Sequence, residues 1–138
     1  MARWLLKSDP DTEYSWERQV KAKALNWDGV RNAQAQGYLK RMKKGELCFF
    51  YHSGKEKRIV GIVAVARAAY PDPSDRTGTC VQVDVKAVKA LAMPVTLGQI
   101  KSERTLSHLA LVRQPRLSVS PVDDAAFARI LDLARTAL

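Results

Sequence analysis

The Val- and Ile-rich run from Ile59 to Ala68, IVGIVAVARA, constrains the fold of this chain more than any other segment. Its apolar residues are continuous rather than alternating, which predicts a central strand buried on both faces. A sheet built around such a strand needs apolar cover on each side. Gly61 lies inside the run, and a glycine there marks a bulge or a close backbone approach.

The other elements follow from similar patterns. Arg3 to Lys7 is a short apolar strand ended by Ser8, Asp9 and Pro10. Ser15 can cap a brief helix running to about Lys23, and the proline-free stretch from Val30 to Met42 reads as a second helix. That helix ends in Lys43-Lys44-Gly45, with Gly45 as a left-handed stop. Leu47 to His52 is an aromatic strand followed by a turn at Ser53-Gly54-Lys55, and Tyr70-Pro71-Asp72-Pro73 breaks the central strand. Val81, Val83 and Val85 alternate with Gln82, Asp84 and Lys86, as in a half-buried strand. Thr96 can cap a short helix through Lys101, Leu106 to Val112 fits either strand or helix, and Arg116 to Val119 is a further short strand. Asp123 caps a terminal helix whose Phe127, Ile130, Leu131 and Ala134 share one face. Short strands with helices at the margins predict one α+β domain over residues 1–138, with a small barrel as its form. Trp4, Ile59, Val60, Ile62, Val63, Val83 and Phe127 are the expected core.

A chain of 138 residues can bury about two thirds of its unfolded surface in one domain. No apolar run approaches the ~20 residues of a membrane span. The apolar patch Trp4-Leu5-Leu6 is too short for a secretory signal. Cys48 and Cys80 form no metal-ligand spacing with the two histidines, so no metal or other cofactor is expected. They can pair as a disulfide or stay as two buried thiols; the second option suits a reducing compartment and predicts a cytoplasmic monomer. The net charge of +9, from 23 Lys and Arg against 14 Asp and Glu, implies attraction to polyanions. Lys40, Arg41, Lys43, Lys44 and Lys55 are either a solvated basic surface or a track for a nucleic-acid backbone.

The hexapeptide WDGVRN, Trp27 to Asn32, carries the most chemistry per residue. Asp28-Gly29 is a strong turn signal. Arg31 and Asn32 then fall near a helix N-terminus, where free amides and the dipole favour anionic groups. Trp27 beside them is either a core anchor or a flat wall for a planar ligand. Lys7-Ser8, Tyr51-His52-Ser53 and Arg116-Leu117-Ser118 lie at strand ends, where a barrel rim would gather them; the alternative is hydroxyl-capped strand termini.

Five motifs occur in order: KSDP at Lys7 to Pro10, WDGVRN, FFYHS at Phe49 to Ser53, YPD at Tyr70 to Asp72 and RLSVSPV at Arg116 to Val122. Together they resemble the EVE domain over essentially the whole chain. The resemblance implies a PUA-like, mostly antiparallel β-barrel flanked by short helices. It also implies a non-enzymatic reader that inserts a modified base of DNA or RNA into an aromatic-walled pocket. By that likeness Trp27 would stack on the base, Lys7 and Ser8 would be donors at the rim, and Asn32 would bond the base edge. Arg31 would approach a phosphate or brace the loop through Asp28. Tyr51, His52 and Ser53 would line the opposite side, Tyr70 and Pro71 would close the mouth, and Arg116 and Ser118 would add polar contacts. Such a set suits an extruded base: a π-face, a few edge donors and a cationic surround.

One position departs from the family pattern. Members often carry a tryptophan a few residues before the valine-rich strand, where this chain has Cys80. Strand alternation would put Cys80 on the face of Gln82 and Asp84, so a second aromatic wall is in question. Two other classes of function stand beside the reader. One is a small enzyme acting on a nucleotide-like substrate with His52 as acid or base, including a hydrolase built from Ser53 or Ser118, His52 or His108, and Asp28. The other is a protein–protein adaptor without a ligand pocket.

Overall fold

The central strand is the organiser expected from its composition. In the computed structural model, which describes residues 1–138, it runs as β4 (Arg58–Pro71) between β3 (Leu47–His52) and β5 (Val81–Thr96). The remaining strands are β1 (Arg3–Ser8), β2 (Leu25–Trp27) and β6 (Val119–Val122), in the order β2-β5-β4-β3-β1-β6. Only the β1–β3 pair is parallel; the others are antiparallel. The α+β class and the mostly antiparallel sheet agree with expectation. The ladder nevertheless stays open, because its edge strands are the short β2 and β6. Helix α2 (Ala33–Arg41) packs against both β5 and β6 and occupies the gap that strand pairing would have closed.

Two apolar layers cover the sheet. Trp4, Leu6, Trp27, Phe50, Val63 and Val83 form one with α2 residues Ala35 and Leu39. Leu5, Phe49, Tyr51, Ile59 and Ile62 form the other with Phe127 and Ile130 of the terminal helix α5 (Asp124–Leu133). All seven expected core residues are at most 8% exposed. Alternation along β1 and β3 decides which layer each neighbour joins. Phe50 and His52 therefore point one way, and Tyr51 the other.

The long strands differ most from expectation. β4 continues through Tyr70 and Pro71, which pair with Gln82 and Val81, instead of breaking before them. Arg116 and Ser118 precede β6 rather than forming a strand, and Leu106–Val112 resolves into helical turns. Gly61 meets both readings at once. The register with β5 shifts between Ile59 and Gly61. A Cβ at Gly61 would also clash with the indole of Trp16, which packs on it from α1 (Trp16–Lys21).

Candidate functional site

A cavity of about 130 Å³ opens beside β2. Trp27 is its floor and is only 3% exposed. Phe50 meets the indole edge-on, with ring centroids 5.5 Å apart at 87°. The second aromatic wall is Tyr14, with its centroid 5.3 Å from Trp27 and its plane tilted by 48°. Ser8 holds Tyr14 in place: its hydroxyl donates to the Tyr14 carbonyl at 2.6 Å and accepts the Tyr14 N–H at 2.8 Å. The Tyr14 hydroxyl donates to Asp28 at 2.7 Å. Burial, then the hydrogen bond and charge of Asp28, push its pKa well above the usual phenol value and keep it protonated. Lys7, Ser118 and Glu13 complete the rim.

The loop from Asp28 to Asn32 frames the cavity, and the buried Asp72 organises it. Gly29 adopts φ +76°, which suits a glycine, and its N–H donates to Asp72 Oδ2 at 2.9 Å. Arg31 donates to the same oxygen at 3.2 Å and to the Ser74 hydroxyl at 2.9 Å. Asp72 Oδ1 accepts from the Ser74 N–H and hydroxyl at 2.8 and 2.6 Å. Burial raises the Asp72 pKa, but these donors outweigh it and hold the carboxyl below its usual range. Arg31 thus braces the loop through Asp72 rather than Asp28. Gln36 ties helix to strand: its side chain donates to the Val30 and Val81 carbonyls and accepts the Val81 N–H at 2.8 Å. Asn32 Oδ1 caps α2 by accepting the Ala35 N–H at 2.9 Å. Its side chain also lines an adjoining depression with Gln34, Gln114 and Arg116.

The structure gathers Lys7, Ser8, Trp27, Arg31 and Ser118 at one cavity and sets Asn32 and Arg116 beside it. It separates the others. Tyr51 and Ser53 line a depression on the opposite side of the sheet, because alternation turns Tyr51 away from Phe50. His52 is buried with both ring nitrogens engaged, Nε2 accepting the Trp16 N–H and Nδ1 facing Glu56, each at 3.0 Å. Tyr70 donates to Asp84 and lies beneath Arg67, outside the cavity lining, as does Pro71. His108 pairs with Asp123 and Asp28 with Tyr14, so the members of a Ser/His/Asp set do not meet. Lys40, Arg41 and Lys43 lie at the far end of α2, while Lys55 is in the β3–β4 turn.

Cys80 does not line the cavity. Its N–H donates to Asp75 at 2.7 Å and its carbonyl accepts the Asp72 N–H at 3.0 Å, which ties it into the loop between β4 and β5. Sequence reasoning missed Tyr14 and Asp72. Asp72 had a local signal, an aspartate leading a Pro-Ser turn, whereas Tyr14 had none beyond its place between Pro10 and Ser15.

The family model for the EVE domain matches residues 2–133. Human thymocyte nuclear protein 1 is 32% identical over 166 aligned positions, which cover 96% of this chain and 73% of that protein. The NMR structure of a Rhodopseudomonas palustris protein superposes with a TM-score of 0.92 at 41% identity, covering 98% of this chain and 94% of the other. The human THYN1 protein, crystallised in complex with 5-methylcytosine-containing DNA, superposes with a TM-score of 0.90 at 31% identity over 100% of both chains.

Proposed function

Because the chain belongs to the EVE domain family, we propose that it is a non-enzymatic module that takes a modified nucleobase of DNA or RNA into the Trp27 cavity. The carrying observation is the cavity itself: two tilted aromatic rings, a polar rim that carries both charge signs and a small volume. A planar heterocycle entering it would meet the Tyr14 ring, which also carries the Arg18 guanidinium, and the exposed part of the indole. Ser118 has a hydroxyl with no partner within the chain, free to bond a base edge, and Lys7 brings positive charge. These are the elements that hold an extruded base. The complex of the human THYN1 protein makes 5-methylcytosine the first modification to test. His52, the side chain best suited to acid–base work, is committed to the Trp16 backbone and Glu56, which favours a binder over an enzyme.

Fluorescence anisotropy with short strands carrying cytosine or 5-methylcytosine tests this reading. The methylated strand should bind more tightly. Tyr14→Ala should cost about ten- to hundredfold in affinity, the worth of one base-stacking contact. Ser118→Ala should cost less than about tenfold, as for one neutral hydrogen bond. Equal binding of both strands by all three proteins, or time-dependent conversion of the nucleotide, would overturn the proposal.

A further inference from the structure

Across the sheet from Trp27 lies a second depression, of about 280 Å³. Three lysines converge on it: Lys7 from β1, Lys57 at the start of β4, and Lys101 from helix α3 (Leu97–Ser102). None of the three takes part in an ion pair, although other cations of the chain do. No carboxylate lines the depression. An acidic side chain near its edge, Asp9, packs on Gly54 and accepts the Asp11 N–H at 3.0 Å. At the floor, Tyr51 is 3% exposed, and its hydroxyl has no hydrogen-bond partner within the chain.

The backbone around this depression is built rather than incidental. Lys57 adopts φ +49°, a conformation that side chains other than glycine rarely take. Its carbonyl accepts the Leu97 N–H at 2.8 Å, which joins the start of β4 to the start of α3 and sets Lys57 and Lys101 around one opening. Lys7 Nζ donates to the Pro115 carbonyl at 2.9 Å and keeps further protons to donate. Unpaired ammonium groups with a neutral hydroxyl donor match a tetrahedral oxyanion, for which lysine serves as a point charge. Lys7 also lines the Trp27 cavity, so the two sites share a residue.

We propose that Lys7, Lys57, Lys101 and the Tyr51 hydroxyl bind a backbone phosphate of the same strand whose base enters the Trp27 cavity. This rests on the base-binding reading above and adds the group that fixes the strand's register. Phosphate contacts position a strand without reading its bases. Losing them therefore weakens methylated and plain strands alike.

The test uses the full chain and single strands with and without 5-methylcytosine, titrated across a salt series. Lys57→Asn combined with Lys101→Gln removes two charges while respecting the backbone at 57, since asparagine tolerates positive φ. The log–log salt slope should become shallower by about 0.7, the increment of one phosphate on a single strand. Affinity at low salt should fall severalfold, and the preference for the methylated strand should not change. A control pair, Lys23→Gln with Lys86→Gln, removes equal charge from exposed positions outside both sites and should leave the slope as it was. Thermal melting of each variant verifies folding. An unchanged slope in the Lys57/Lys101 variant, or an equal change in the control, overturns the phosphate site. A shallower slope with no preference for methylation keeps the phosphate site and removes the base reading. Wild-type protein that binds neither strand overturns both.

Discussion

Trp27 is both a core residue and the floor of the cavity. With 3% of its surface exposed, most of the indole packs on Phe50 and Tyr14, and only a small part faces the opening. Trp27→Ala should therefore cost about 3–5 kcal/mol of stability, as for other large-to-small changes in a core. Ser118→Ala, on the rim, should stay within about 0.5 kcal/mol. Urea denaturation of the two variants checks both figures. A Trp27→Ala midpoint equal to wild type would mean that the ring contributes little to the core. The contrast also shows why Ser118 reports on binding more cleanly than Trp27 does.

At the scale of elements, the Asp28–Asn32 loop keeps its shape because Asp72, just past the end of β4, holds it. A free aspartate titrates near 3.9. In the folded chain burial works against ionisation, but the hydrogen bonds from Ser74, Gly29 and Arg31 prevail and lower the pKa. The stability that this carboxylate contributes is thus fully present above about pH 4. It is lost as the pH falls through the lower folded value. Asp72→Asn should cost about 1–3 kcal/mol at neutral pH, because buried donors lose their charged acceptor. The gap between variant and wild type should narrow as the solution is made acid, which urea unfolding at stepped pH values measures. A gap independent of pH would show that the carboxylate's charge does not hold the loop. WDGVRN announced this loop in the sequence, but its brace lies 43 residues on from Gly29 and was read as part of a strand break.

For the whole molecule, the net charge of +9 is spread over several corners. Lys40 and Arg41 lie in the last turn of α2 and Lys43 just beyond it, whereas Asn32 at the N-terminal end adjoins the cavity. A strand that also reached them would have to follow the helix. Engaging about four phosphates in all would give a log–log salt slope near −3 for a single strand, at about 0.7 each. Binding that does not change with salt would leave the basic residues as a solvated surface and point to a free small ligand. No helix is long and apolar enough to cross a membrane.

The sequence alone determined what depends on short-range order. Continuous apolar residues marked β4 as buried on both faces, Ser15, Thr96 and Asp123 were legible as helix caps, and Gly29 and Gly45 as left-handed turns. These features depend on a residue and its near neighbours, so periodicity and side-chain chemistry suffice to find them. The ordered motifs also indicated the family, whose model matches residues 2–133. Only the tertiary structure decided how the site is partitioned. Tyr51 and His52 are adjacent in sequence, yet the two-residue period of a strand sends them to opposite layers. Tyr14 reached the cavity through Ser8, and Asp72 reached the loop through the pairing of β4 with β5, contacts that no local pattern encodes. A side chain's face is fixed by strand register, and its partners by how distant segments pack; both are set when the sheet assembles.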